Sequence, residues 1–271
     1  MNDMSSPASE NTWKIRPFAE TLVALRFLTR LPLPFLRTLD LPPLAQAMRF
    51  FPLAGALIGA LTALVLAVAN MLGVPSLLAA VLALGAGVLL TGALHEDGLA
   101  DVADGFAGGK TREQRLEIMR DSRIGTYGTI ALCLTFLGRA AIYETLAGVQ
   151  PLIIIALLAS AAAFSRSLVV DLLWATRPAR ADGLSIFAGR PSKRSALFSL
   201  ITGGVAAVAA IGLVLSPAMA VLSIAAAALM LGLMRWLAMR QIGGQTGDVC
   251  GAVQVLTEIT MLTVFAAATI G

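Results

Sequence analysis

Long apolar stretches separated by shorter polar connections make up most of this chain. A stretch of about 20 apolar residues is long enough for a helix to cross a bilayer. Seven stretches approach that length, at 51–72, 77–94, 126–148, 152–175, 196–215, 217–238 and 251–271. The pattern predicts an all-α fold, a polytopic integral membrane helical bundle with about seven spans. We expect residues 1–16 to be a disordered lead and residues 17–271 to form a single membrane domain.

The composition favours the same class of protein. The chain is 58% hydrophobic and 13% charged with a mean hydropathy of +0.84, whereas soluble domains carry about 25% charged residues. Cys133 and Cys250 lie in different apolar stretches and suggest neither a disulfide framework nor a CxxC metal site. The first residues lack a basic segment followed by an apolar core, so we expect no cleavable signal peptide.

The connections between apolar stretches are of two kinds, and the kinds alternate along the chain. Three short links, at 73–76, 149–151 and 216–217, carry no charge. All of the 20 Lys and Arg except Arg139 and Arg166 fall in or beside the other connections, at 1–50, 95–123, 176–194 and 239–250. If each stretch crosses once, the positive-inside rule makes that charged side cytoplasmic. We therefore expect a multi-pass protein of the cytoplasmic (inner) membrane whose active site faces the cytoplasm.

Residues 17–35 form a different pattern before the first span. Arg26 and Arg30 are four residues apart, and Pro32 and Pro34 end the periodicity. One helical face would carry the apolar residues Phe18, Leu22, Leu25, Leu28 and Leu31. The pattern predicts an amphipathic helix at the membrane interface with its arginines toward lipid phosphates. The alternative is an eighth membrane span, which is disfavoured because it would bury two arginines in the bilayer.

A GxxxG pair, Gly55 and Gly59, lies in the first predicted span. Small residues allow helix backbones to approach closely in lipid. We interpret the pair as ordinary packing within the chain rather than as a dimer face, which leaves a homo-oligomer open.

The connection after the second span contains the densest acidic motif, HEDGLADVADG at 95–105. If the second span continues as a helix, Asp97, Asp101 and Asp104 align on one stripe at i, i+4 and i+7. Carboxylates so close together repel unless a cation lies among them. Oxygen ligands suit Mg²⁺ or Mn²⁺, and His95, the only histidine, cannot build a zinc site alone. A solvated acidic loop is the alternative.

Two further polar segments are predicted on the same side. Thr111 and Gln114 have the spacing of a capping box that opens a new helix. That helix leads to Arg120 and Arg123, which could bind a phosphate group or could instead serve as topology anchors. The second segment, GGQTGD at 243–248, has glycines that free backbone N–H groups to face an anion, and Asp248 could complete a metal's ligand set.

Arg139 and Arg166 lie inside predicted spans, with Glu144 and Asp171 five residues beyond them. Charges inside a membrane mark a cavity, a pathway or an internal pair. Arg166 is nearer the cytoplasmic end and could reach an anionic ligand, although an ion pair between helices is an equal alternative.

Carboxylates for Mg²⁺, arginines for phosphate and a glycine-rich turn together suggest phosphoryl-type transfer, which depends on charge neutralisation and positioning. The sequence has no Walker A motif, so it is not a P-loop ATPase. A Ser-His-Asp hydrolase is also unsupported, because no nucleophile elbow is present.

These motifs resemble those of the cobalamin synthase family, the adenosylcobinamide-GDP ribazoletransferases of bacteria and archaea. The resemblance covers almost the whole chain, and it is most specific in the pairing of HEDGLADVADG with GGQTGD. The stretch GLSIF at 183–187 looks like a further family loop. The other matching segments are FLTRLPLP at 27–34, FPLAGALIG at 51–59, EIMRDSRIGT at 117–126 and SR at 165–166.

The resemblance implies the last assembly step of the cobalamin nucleotide loop. A hydroxyl of α-ribazole, or of its 5′-phosphate, attacks the cobinamide-linked phosphorus of adenosylcobinamide-GDP. The products are adenosylcobalamin, or its 5′-phosphate, and GMP. The family requires Mg²⁺. Besides these substrates we expect the lipid bilayer, and no nucleic acid, as a partner.

Combined with the resemblance, the motifs give each candidate residue a role. Asp97, Asp101, Asp104 and Asp248 would bind one or two Mg²⁺, and either Asp97 or Asp104 would also act as the base. His95 would support the loop rather than bind metal. The candidates for substrate binding are His95, Arg120, Asp121, Arg123, Arg166, Gln245 and Thr246.

Two other functions compete with this interpretation. A CDP-alcohol phosphotransferase also presents aspartates and Mg²⁺ at a membrane face, and its signature places Asp-Gly-x-x-Ala-Arg after its first aspartates. Here the stretch that begins Asp97-Gly-Leu-Ala-Asp101 lacks the arginine, and the later aspartates are not at the expected spacing. An ion-coupled transporter would use Arg139, Glu144, Arg166 and Asp171, although the chain has no internal repeat of the kind common in transporters.

Overall fold

A computed structural model describes residues 16–33 and 41–270 of the chain. Those residues form helices and loops, and the described part has no strand beyond one isolated bridge between Pro178 and Gln245. The predicted disordered lead lies almost wholly outside the described residues. The helices are α1 Pro17–Leu28, α2 Leu44–Ala47, α3 Phe51–Met71, α4 Ser76–Thr91, α5 Leu94–Gly108, α6 Arg112–Ile118, α7 Thr126–Leu146, α8 Pro151–Ala175, α9 Leu184–Ala188, α10 Lys193–Val214, α11 Pro217–Gln241 and α12 Gly247–Ile270.

Six helices of the described part are long and apolar enough to cross a membrane by themselves. They comprise α3 with the short turns before it, α7, α8, α10, α11 and α12. A seventh span is formed if α4 and α5 are taken together. The all-α, polytopic membrane architecture expected from the hydrophobic pattern is therefore confirmed.

The second span differs from the prediction because the chain bends by 91° between α4 and α5. Gly92 and Ala93 both have left-handed backbone conformations, with φ of 67° and 58°. Such a pair ends a helix, since the N–H of Ala93 turns back to the carbonyl of Val88. The acidic segment is helical, as expected, but α5 is a separate helix that does not continue the direction of α4.

Helix α8 lies at the centre of the bundle, and α3 packs directly against it. In the most apolar segment of α8, 78% of the residues are buried, whereas the buried share of the corresponding segments of α10 and α11 is 22%. β-Carbons placed on Gly55 and Gly59 would collide with the carbonyl oxygens of Ala162 and Leu158 on α8. The GxxxG pair therefore serves packing within the chain, as predicted.

Helix α1 ends at Leu28, before the two prolines, and Pro34 and Phe35 lie outside the described residues. Arg26 and Arg30 are exposed, as the amphipathic pattern predicts. Phe18, expected on the apolar face, is also 69% exposed.

Sequence reasoning missed the ion pair that attaches α1 to the bundle. Glu20 on α1 accepts hydrogen bonds from the guanidinium of Arg49, in the 3-10 turn Met48–Phe50, and both side chains are fully buried. A buried carboxylate is stable only when it is paired in this way. The pair therefore ties α1 to the start of α3.

The charged connections contact one another at one end of the bundle, called the charged end below. Arg112 donates to the carbonyl of Ile242 at 2.8 Å, and Arg177 donates to that of Gly243 at 2.8 Å. Near the opposite end, the amide of Asn70, close to the end of α3, donates to the carbonyl of Ala147, which directly follows α7, at 3.1 Å. This grouping agrees with the alternation seen in the sequence.

Candidate active site

Two glycines bring the acidic helix α5 into backbone contact with α12 at the charged end. A β-carbon placed on Gly98 would lie 2.7 Å from the carbonyl oxygen of Asp248. One placed on Gly251 would lie 3.0 Å from the carbonyl oxygen of His95. Neither distance leaves room for a side chain, so glycine at both positions permits the close approach. The two motifs predicted to share one membrane face therefore meet directly.

The segment before α12 is held in place by the loop that follows α8. The backbone N–H of Gln245 donates to the carbonyl of Arg177 at 2.9 Å, and Ala179 donates to the carbonyl of Gln245 at 2.8 Å. Thr246 caps α12, because its hydroxyl accepts from the N–H of Val249 and donates to the carboxylate of Asp248 at 3.1 Å. These contacts fix the direction of the Asp248 side chain.

The negative charges of three other carboxylates act on Asp101. They belong to Asp97, Asp104 and Asp248, whereas Arg180 is the cation that opposes them. Arg180 contacts Asp248 at 3.4 Å from a guanidinium nitrogen to a carboxylate oxygen. Such a cluster attracts a cation or a substrate that carries one. In the part of the chain that the structure describes, however, no three His, Cys, Asp or Glu side chains are arranged around one metal position.

Asp104 differs from the other acidic residues because both of its oxygens already accept hydrogen bonds. The backbone N–H of Gly125 donates to one oxygen at 2.7 Å, and that of Gly128 donates to the other at 2.9 Å. The carboxylate thus occupies the amino-terminal end of α7, where the helix dipole favours negative charge. Its predicted catalytic and metal-binding roles remain predictions, and the observed contacts are structural.

A cleft opens beside the acidic residues. Asp97, exposed on α5, and Asp248 both line it, together with His95 and Ser185. The remaining walls come from apolar side chains of α1, α3 and α8 and from the segment around α9.

Arg120 and Arg123, predicted to hold phosphate, each pair with an exposed carboxylate in this structure. Arg120 contacts Asp182 at 2.6 Å, and Arg123 contacts Asp121 at 2.7 Å. Hydrogen bonds from Arg123 lower the pKa of Asp121 to about 2. Asp121 therefore stays ionised at neutral pH. Exposed pairs of this kind are weak, so phosphate could replace the carboxylate at either arginine.

Gln245 and Thr246, predicted to bind the substrate, have buried side chains. Their exposed fractions are 3% and 0%. The Gln245 side chain lies beside Cys250, and Thr246 caps α12. In this structure both shape the loop, and neither presents its side chain to a ligand.

Arg166, predicted to reach the substrate, is instead part of a buried ion network inside the bundle. Its guanidinium contacts Glu258 at 2.6 Å, and Arg139 contacts the other oxygen of Glu258 at 3.1 Å. Arg139 also contacts Glu96 at 3.0 Å. The alternative of interhelical ion pairing is thus confirmed, with partners other than Glu144 and Asp171. His95, next to Glu96, is buried and supports the loop through its backbone contact with α12.

Sequence reasoning missed Glu258 and Arg180. Glu258 is the only charged residue between 251 and 271, and an acidic residue alone in a span already signals an internal partner. Arg180 lies in a polar loop whose sequence offers no comparable signal, and only the fold brings it to Asp248.

Comparison with known proteins assigns the sequence to a family. The family model described as cobalamin-5-phosphate synthase matches residues 20–266. The chain is 46% identical over 250 residues to an adenosylcobinamide-GDP ribazoletransferase of Azorhizobium caulinodans, covering 91% of this chain and 95% of that protein. It is 42% identical over 253 residues to the enzyme of that name from Bradyrhizobium diazoefficiens, covering 93% and 95%.

A third relative of the same name, from Xanthobacter autotrophicus, is 47% identical over 261 residues, with 90% and 94% of the two chains covered. No solved structure matches the chain. The resemblance inferred from the motifs is confirmed, and the chain belongs to the cobalamin-5-phosphate synthase family.

Proposed function

We propose that this protein transfers the adenosylcobinamide-phosphate group from adenosylcobinamide-GDP to α-ribazole or its 5′-phosphate, with release of GMP. The observation that carries this proposal is the meeting of α5 and α12 at the Gly98–Asp248 contact. It brings Asp97 and Asp248 to one cleft, and the charges of both carboxylates act on Asp101. Relatives that carry the name of this activity align over nine-tenths of the chain.

The carboxylates are the ligand type that suits the Mg²⁺ that this reaction would use. Mg²⁺ binds through one or two protein carboxylates and completes its shell with water and substrate phosphates. Asp97, Asp101 and Asp248 would hold it, because the charges of Asp97 and Asp248 act on Asp101, with Arg180 as the opposing cation. Asp104 fits less well, since both its oxygens accept backbone hydrogen bonds. When bound, the metal neutralises the charge of the pyrophosphate.

In this proposal Asp97 acts as the base. It is the exposed aspartate of α5 and lines the cleft, whereas Asp104 is 9% exposed and occupied by the amides of α7. A ribose hydroxyl of α-ribazole would give its proton to Asp97 as its oxygen forms a bond to the cobinamide-linked phosphorus. The bond from that phosphorus to the phosphate oxygen of GMP breaks, and GMP leaves with the electron pair.

Arg180 would hold the pyrophosphate at the acidic cluster. It is mostly buried and contacts Asp248, and it lies 3.8 Å from Asp182, the partner of Arg120. Arginine binds phosphate oxygens in a fixed, two-pronged geometry. Arg120 and Arg123 would join it by exchanging their exposed carboxylate partners for phosphate.

We further propose that the charged end faces the cytoplasm from the inner membrane, because lysines and arginines concentrate there. The substrates are charged and water-soluble at their nucleotide ends. A site at that end would receive them without a membrane crossing.

The test is a reaction with purified protein in lipid vesicles or mixed micelles. Adenosylcobinamide-GDP, α-ribazole and Mg²⁺ should give GMP and a complete corrinoid in equal amounts, and EDTA should stop both. CMP release from a CDP-linked lipid, without GMP release, would instead indicate a CDP-alcohol phosphotransferase. Uptake into sealed vesicles without GMP release would indicate a transporter.

A further inference from the structure

The cleft beside Asp97 and Asp248 has one polar wall and otherwise apolar walls. The carboxylates lie on the side formed by α5 and α12. The apolar lining includes Phe27 of α1, Phe51 of α3 and Val169 of α8. The rings of Phe27 and Phe51 stack with their centroids 5.8 Å apart and their planes at 16°. The cleft is therefore suited to a flat apolar group attached to a polar one.

The two nucleosides in the proposed reaction differ in how well they match these walls. The base of α-ribazole is a benzimidazole, which is flat and has little hydrogen-bonding capacity. Guanine carries donors and acceptors along its edges, and burying these groups without hydrogen-bond partners is unfavourable. Beyond the carboxylates, His95 and Ser185 are the polar side chains of the lining. The walls thus favour the benzimidazole.

The direction of the reaction agrees with this choice. Attacking and leaving oxygens lie on opposite sides of the phosphorus in phosphoryl transfer. With the pyrophosphate at the acidic residues, the acceptor and GMP must approach from opposite sides. The acceptor would enter the cleft, and GMP would lie toward the exposed arginines Arg177 and Arg120 in the loops of the charged end.

We propose that the cleft binds the base of α-ribazole against Phe27, Phe51 and Val169, with its ribose toward Asp97 and Asp248, and that guanine lies outside it. The inference rests on the proposed function and assigns the acceptor's binding site within it. Val169 and Phe27 then determine acceptor affinity and take no part in donor binding.

Val169→Phe tests the assignment by filling the cleft from α8. The KM for α-ribazole should rise by at least about tenfold, as expected when a pocket loses its space, whereas the KM for adenosylcobinamide-GDP should stay within about twofold of its original value. Val169→Ile is the matched variant and should change the KM for α-ribazole only slightly. Leu197→Phe is the control for adding an aromatic ring elsewhere in the protein, because Leu197 is exposed on α10.

Direct binding to the wild-type protein gives a second, folding-independent test. Benzimidazole fluorescence should report α-ribazole binding in the absence of donor, and GMP should not displace it. A higher KM for the donor alone in Val169→Phe, or competition between GMP and α-ribazole, would overturn the assignment.

The two proposals fail in different ways. If wild-type protein produces GMP but Val169→Phe keeps its KM for α-ribazole, the cleft assignment is wrong and the function stands. If wild-type protein binds α-ribazole in the cleft, with binding lost in Val169→Phe, but never releases GMP, the function is wrong and the cleft assignment stands.

Discussion

Gly98 and Asp248 lie in direct backbone contact although 150 residues separate them in the sequence. The carbonyl oxygen of Asp248 would be 2.7 Å from a β-carbon on Gly98, which is inside van der Waals contact. The position of Asp97 relative to Asp248 therefore depends on the absence of a side chain at Gly98. Any residue larger than glycine must push α5 away from α12.

Gly98→Ala should lower kcat/KM by about 100-fold, because a shift of about 1 Å in a reactive group costs that much. The protein should still insert, since alanine favours a helix more than glycine does. Gly108→Ala, in the same helix, is the control, because its β-carbon would meet only Ile118 at 3.5 Å. Equal activity of the two variants in the ribazole-transfer assay would contradict the predicted importance of the contact.

Asp104→Asn should destabilise the protein without changing its need for Mg²⁺. The amide keeps one acceptor oxygen for two N–H donors, so we expect a loss of about 1–3 kcal/mol in unfolding free energy. Asp97→Asn should show the opposite behaviour, with unchanged stability and little activity. Thermal unfolding in mixed micelles and a Mg²⁺ titration of activity measure both effects. A raised Mg²⁺ requirement in Asp104→Asn would assign this residue to the metal.

Glu258→Gln should destabilise the bundle by about 3–5 kcal/mol, because it removes the carboxylate shared by two buried arginines. The side chain keeps its shape, so packing changes little. Glu144→Gln is the matched control, since Glu144 is exposed on a neighbouring helix. Both can be compared by the denaturant concentration that abolishes activity in micelles. Equal resistance of the two variants would show that the network adds no stability.

Arg180→Gln should raise the KM for adenosylcobinamide-GDP by about tenfold or more, which corresponds to the loss of one charge-assisted contact of about 1.5–3 kcal/mol. The KM for α-ribazole should change little. Arg123→Gln is the comparison, because Arg123 is exposed and pairs with its near neighbour Asp121. A larger donor effect for Arg123 than for Arg180 would return the phosphate role to the arginines chosen from the sequence.

Local patterns were sufficient for much of the fold. The bounds of the apolar stretches agree with α3, α7, α8, α10, α11 and α12 to within a few residues, because a span is defined by its own length and polarity. The helix opened by Thr111 and Gln114 also forms as predicted, with both hydrogen bonds of the capping box. A cap depends only on residues three positions apart.

Roles within the site followed from the sequence only in part. The acidic stripe and the GGQTGD turn were found as motifs. Their location at the same membrane face followed from the number of membrane spans between them. The sequence could not separate Asp97 from Asp104, because both lie on the same helical stripe. Their difference arises from the position of α7, whose first amides reach Asp104 and leave Asp97 free to face the cleft.

The sequence by itself determined the membrane class, the span positions, the charged end and the family, all of which depend on local hydrophobicity, charge and short motifs. Only the tertiary structure decided the bend at Gly92 and Ala93, the sharing of Glu258 by Arg139 and Arg166, and the approach of Arg180 to Asp248. Each of these depends on how segments distant in the chain pack. Charges inside a low-dielectric bundle take whichever partner the packing brings within reach.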